Sequence, residues 1–227
     1  MVRALEIALM RAFCSPGISV LLNRTGEFRK HGQKGYDDTA LMVAEFMQNG
    51  YDSDRGSRAI AQMNKTHGLY KINSDDYLFV LSTFIFLPIH WIDNFGWRKT
   101  SEKEGEALYY FFKEVGKRMK ISGIPSSLEE LNIFVDKYEE KNFRYEKSNN
   151  ALASATINIV KGWMPFFAKP FVLPVIRCLL DEKILRVLGY KQPPFLLKYI
   201  VVLAMKIRAL FLRRLPLKNI LPLFQRK

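Results

Sequence analysis

Three histidines, His31, His67 and His90, are the only imidazoles in this 227-residue chain, and they bound any metal or acid–base chemistry it can perform. His67 lies near the end of the stretch from Ser53 to Lys71, in which Ile60, Met63, His67 and Tyr70 recur at the spacing of one helical face. Arg55, Arg58, Gln62 and Lys65 fall largely elsewhere on that helix, so its inward face carries one imidazole among apolar side chains. His31 sits in a basic, glycine-containing segment and reads as a solvated side chain. His90, in Leu87-Pro-Ile-His-Trp-Ile-Asp93, follows a proline and reads as a structural imidazole bonded to a backbone carbonyl. A lone histidine on an apolar face is more often a satisfied core residue than a ligand, and for His67 both readings stand on the residues alone.

Spacing narrows the metal chemistry that remains. There is no HExxH, no pair of histidines at helical spacing and no His/Asp/His cluster, so a zinc or iron site built from protein side chains would lack ligands. Haem needs only one proximal histidine in an apolar, aromatic pocket. The elbow GxSxG, the phosphate loop GxxxxGK[ST] and a dinucleotide-binding GxGxxG are all missing. Cys14 and Cys178 are too few for a disulfide framework and form no CxxC pair, which fits a reducing compartment.

The elements that would position these residues read as helices throughout. Met1 to Phe13 forms the first, with Leu5, Ala8, Leu9 and Ala12 on one side, ended by Ser15-Pro16-Gly17. The polar segment Asn23 to Tyr36 reads as a loop or arm, and Asp37-Asp38 caps a second helix through Gln48. Ser53 or Asp54 caps the helix that carries His67. Ser74-Asp75-Asp76 begins a buried helix from Tyr77 to about Phe86, disturbed by Pro88. An amphipathic helix over Thr100 to Met119, another after a capping box at Ser127 and Glu130, and one over Asn149 to Trp163 follow. The last presents Ala151, Ala155, Ile159 and Trp163 along one face. Prolines at 165, 170 and 174 break what comes next into short pieces. No alternating strand of convincing length and no internal repeat occurs, so the expected fold is all-α, a single multi-helix globular domain over residues 1–227 with a buried pocket.

Charge is distributed unevenly. The chain carries a formal charge of +13, yet no Asp or Glu follows Glu182, and residues 183–227 hold 11 Lys or Arg. These bases are set in apolar sequence, above all Phe195 to Leu212, interrupted only by Lys198, Lys206 and Arg208. That context favours an anionic membrane surface over nucleic acid as partner. The N-terminus lacks the uninterrupted apolar run and cleavage site of a signal peptide. Tyr77 to Ile89 is too short an apolar run to span a bilayer, which leaves a cytoplasmic protein, or one peripheral on the cytoplasmic face of a membrane through 191–227.

Several segments, taken in order, carry a family resemblance. Arg58-Ala-Ile-Ala-Gln-Met-Asn-Lys-Thr-His67-Gly-Leu-Tyr70 resembles the histidine segment of the oxygenases that include MpaB and latex-clearing protein, the rubber oxygenases. Asp38-Thr39 upstream, Phe95-Gly-Trp-Arg98 followed by Glu102 to Glu106, and Tyr138-Glu139 followed by Asn149-Asn150 match in family order over roughly residues 36–165. Leu188-Gly-Tyr190 with Pro193-Pro194 is similar to the family's C-terminal part. The resemblance implies an all-α fold with haem b, His67 as proximal iron ligand and Thr39 on the distal side. It also implies dioxygen-dependent attack on a hydrophobic, isoprenoid-type substrate. Met63 would help to shape the pocket, and on charge alone Arg58 or Arg98 would meet the haem propionates. Rubber oxygenases have an arginine four residues before the threonine and a lysine just before it. Gly35 and Asp38 stand there in this chain, which places it nearer the MpaB-like branch. The expected function is a haem b-dependent oxygenase. The alternative is a non-catalytic helical protein that binds a membrane or an apolar ligand.

Overall fold

A computed structural model describes residues 2–26 and 31–214, with the side chains of residues 2–5 outside the description. The end of the basic segment beyond Arg214 and residues 27–30 of the polar segment lie outside the described residues, as does Leu5 as a side chain. The described chain is all-α: α1 (Val2–Ala12), α2 (Pro16–Thr25), α3 (Gly32–Asn49), α4 (Asp54–His67), α5 (Ser74–Phe95), α6 (Glu102–Arg118), α7 (Leu128–Asn142), α8 (Lys147–Gly162), a 3-10 segment (Phe166–Phe171), α9 (Val172–Leu179), α10 (Glu182–Val187) and α11 (Phe195–Arg214). No strand occurs among the described residues.

Local capping chemistry sets most of the helix starts. Ser53 accepts the Gly56 amide at 3.0 Å to open α4. Ser101 and Glu104 form a reciprocal capping box at the start of α6. At α7 only half of the expected box forms. Ser127 accepts the Glu130 amide at 3.1 Å, but the Glu130 carboxylate turns back to the Ser126 amide and hydroxyl at 2.9 and 2.7 Å.

Four expectations are corrected. Ser15-Pro16-Gly17 ends α1 but also starts α2, with Pro16 in the first turn, where its missing N–H costs nothing. The second expected helix begins at Gly32 rather than at Asp37-Asp38. Its extra turn is held by Trp163, whose ring packs 5.2 Å from that of Tyr36 and whose indole N–H donates to Gln33 at 2.9 Å. The helix after Ser74 runs through Pro88 to Phe95. Pro88 removes one backbone bond, but Leu81, Ile85, Leu87 and Pro88 itself are buried, and that burial outweighs a loss of about 3 kcal/mol. Finally, α8 buries Leu152, Ala153, Thr156, Ile157 and Val160, a face shifted by one residue from the expected Ala151, Ala155 and Ile159.

The extended α5 is the axis of the molecule. It packs against α1, α6, α7 and α11. At 22 residues it is long and apolar enough to cross a bilayer by length and composition, yet close to half of its apolar window is buried inside the protein. One core group joins α3 to α7 through Val43, Phe46, Ile60, Leu81 and Phe112. A second joins the end of α1 to α8, α9 and α10 through Phe13, Leu152 and Leu185. Between them Phe79, fully buried, stacks on Tyr138 with ring centroids 4.3 Å apart. The Tyr138 hydroxyl donates to the Asp76 carboxylate and accepts from the Ser15 hydroxyl at 2.9 Å, tying α5, α7 and the α1–α2 corner together. Beside it, the buried Glu139 carboxylate takes Arg11 of α1 and Lys183 of α10.

Candidate functional site around His67

The helix that carries His67 is placed by a tight reversal. Gly50 adopts a φ of 86°, and a Cβ at Gly56 would collide with the Gly50 carbonyl, so α4 folds back on α3 in this way only with glycine in its first turn. The inner face of α4, Ala59, Ile60 and Met63, then packs on Val43 and Phe46 of α3 and on Leu78 and Leu81 of α5. At the far end the Asn64 side chain donates to the Arg118 carbonyl at 2.9 Å, which fixes the last turn of α4 against the end of α6.

His67 continues this face one turn beyond Met63. Its ring meets Tyr77 of α5 edge-on, centroids 5.3 Å apart and planes at 88°. Its Nδ1 is buried and has no hydrogen-bond partner. Burial pushes the imidazole pKa down from its ordinary 6.5, so the ring is held neutral with a lone pair to give. A buried polar atom without a partner is costly, and an unprotonated imidazole is the form that binds a metal. On the chemistry of the donor, the residue therefore fits an iron ligand. No cluster of three His, Cys, Asp or Glu side chains that would hold a bare ion occurs among the described residues.

Thr39 lies at a separate place, on α3. It lines an apolar cavity of about 70 Å³ between α1, α3 and α5, walled by Ala8, Ala12, Tyr36, Val43, Thr83 and Phe84 among others. The Thr39 hydroxyl donates to the Gly35 carbonyl at 2.8 Å. Tyr77, against which His67 packs, stands three residues before Val80, which lines the cavity, so α5 runs past both places. The cavity is well below the ~300–1,000 Å³ of a pocket enclosing a drug-sized ligand, and its volume suits the end of an apolar group rather than a macrocycle.

The other expected site residues are not gathered there. Met63 is buried in the α3–α7 core. Arg58 is exposed on α4. Arg98 grips Glu104 with both terminal nitrogens, at 2.7 and 2.5 Å. That grip, with the Ser101 amide and hydroxyl, pulls the Glu104 pKa down from 4.5 to about 2. His90 is exposed, near Phe86. Cys14 is fully buried, and burial drives its thiol pKa far upward, leaving it inert.

No family model matches the chain. Three named relatives do: an ER-bound oxygenase mpaB of Penicillium brevicompactum, 31% identical over 83% of this chain and 53% of its own; an ER-bound oxygenase mpaB of Penicillium roqueforti, 29% identical over 84% and 70%; and an ER-bound oxygenase mpaB' of Penicillium brevicompactum, 29% identical over 83% and 49%. The chain is MpaB-like. It spans about half the length of two of these relatives and 70% of the third. In the MpaB-like chain, sequence reading did not pick out the cavity wall formed by Ala8 and Ala12 on α1 facing Gly35, Thr39 and Ala40 on α3. The available signal was small residues four apart on each helix, which permit close approach but also fit ordinary packing. Exposed Phe166, Phe167 and Phe171 were likewise passed over, because proline-broken sequence gives aromatics no periodicity to be read by.

Proposed function

We propose that this MpaB-like chain is a haem b-dependent oxygenase that acts with dioxygen on a hydrophobic, isoprenoid-type substrate, lying on a membrane through its 191–227 segment. The observation that carries the reading is the half-buried, neutral His67 imidazole, whose buried Nδ1 has no partner, at the end of an amphipathic helix. A haem bound there would supply the redox chemistry of dioxygen activation, with His67 as its protein ligand. The chain's own contribution is to hold that imidazole in one orientation through Tyr77 and Asn64. It would also exclude water with the α3–α5 core and receive one apolar end of the substrate in the cavity that contains Thr39. The relatives' name, ER-bound oxygenase, supports the activity and the membrane setting.

Oxygen uptake is the direct test of activity. Haem-loaded protein in detergent, given a polyprenol, is expected to consume dioxygen and to yield a carbonyl product by mass spectrometry. Thr39→Val, which keeps the shape and removes the hydroxyl, is expected to lower the rate while leaving the fold intact. Uptake by the wild type that is independent of any hydrophobic substrate would leave a binding protein as the better reading.

A further inference from the structure

Helix α11 has two apolar faces, and among the described residues only one of them is packed against other elements. Val201, Met205, Ala209 and Leu212 face inward and pack toward α9 and α5. On the opposite side Leu196, Ile200, Leu203, Ile207 and Leu210, three or four residues apart, and Phe211 beside the last are all exposed, making a stripe about 100° wide at 3.6 residues per turn. Lys206 and Arg213 border one edge of that stripe and Arg208 the other. The 3-10 segment, which packs on the same α9, exposes Phe166 and Phe167 at 87% and 75%, with Lys169 following. An exposed apolar patch of this extent marks a contact surface.

The borders decide the occupant. Bases on both edges would repel those of a second copy meeting face to face, and no acid follows Glu182 to neutralise them. Anionic headgroups pair with such bases while the apolar stripe enters the acyl boundary, and long Lys and Arg side chains reach outward to keep both contacts. We propose that the outer face of α11, with Phe166 and Phe167 of the 3-10 segment, is the surface by which the protein rests on an anionic phospholipid bilayer, the helix axis lying in the plane of the headgroups. This rests on the membrane setting proposed above and fixes the face that makes it.

Cosedimentation of the full chain with phosphatidylcholine vesicles, with and without phosphatidylserine, tests the assignment. Wild type is expected to bind the phosphatidylserine vesicles and to release with salt. L203E/I207E is expected to bind about tenfold or more weakly, and K206Q, R208Q and R213Q about fivefold more weakly for each charge removed. F166S/F167S is expected to weaken binding as well, while I133S, an exposed apolar change on α7, leaves it unchanged. Circular dichroism confirms that the variants stay folded. Wild type that binds neither vesicle overturns the membrane setting itself. Undiminished binding by L203E/I207E overturns the face and leaves that setting standing, and undiminished binding by F166S/F167S overturns the part given to the 3-10 segment. A wild-type dimer that L203E/I207E converts to monomer, without vesicle binding, makes the stripe a self-association surface and overturns the proposal.

Discussion

At the scale of single residues, His67 and Arg98 carry the same kind of sequence match but sit in opposite circumstances. His67 has a buried nitrogen with nothing to bond, whereas Arg98 is fully engaged by an exposed carboxylate. A sequence gives residue type and helical phase; it does not say whether a side chain's hydrogen-bonding capacity has been used up by a neighbour six residues away. That is why His67 was legible and the availability of Arg98 was not. The clasp makes its own pH signature. Glu104 has its pKa lowered from 4.5 to about 2 by the Arg98 and Ser101 bonds, so the folded state favours the charged carboxylate. Its stabilising contribution is present above pH 4.5 and is lost as pH falls toward 2. Melting temperatures of wild type and Glu104→Gln should therefore differ at pH 6 and converge on acidification. A difference that stays constant down to pH 2 would mean that the carboxylate is not held by Arg98 in solution.

At the scale of elements, periodicity located the helices that bury one clean stripe, such as α4 and α6, together with the cap residues Ser53 and Ser127. It failed where tertiary contacts override local preference. Gly32 and Gly35 read as loop, yet Trp163 packs on Tyr36 and winds that segment into α3, and Pro88 reads as a break, yet burial carries α5 through it. Helix α11 was ambiguous for another reason, since two opposed apolar faces leave little phase signal to separate core from interface. The α3–α4 reversal is the element on which the site depends most. Gly56→Ala would drive a methyl into the Gly50 carbonyl and is expected to cost about 2 kcal/mol in urea unfolding, whereas Gly162→Ala, with open space around its Cβ, should cost nothing measurable. Equal midpoints for the two variants would show that the reversal relaxes and that the position of His67 does not depend on it.

At the scale of the whole molecule, the chain divides its apolar surface among three tasks. The largest share is core, organised along α5 and joined across Phe79 and Tyr138. A small share walls the cavity beside Thr39. A third share is left outside on α11 and the 3-10 segment. This division accounts for an aromatic content of 13% in a chain of moderate size, more than one compact core asks for. It also sets the substrate proposal in context, because an apolar cavity together with the proposed lipid-facing surface would suit a molecule that partitions into lipid. The central claim is narrower than that setting and concerns His67 alone. Its most direct test is the absorption spectrum of protein purified with haem supplied: a Soret band in the wild type, lost or shifted in His67→Ala while circular dichroism is unchanged, is what the account predicts. A folded wild-type protein with no haem absorbance, or a band identical in His67→Ala, would contradict it.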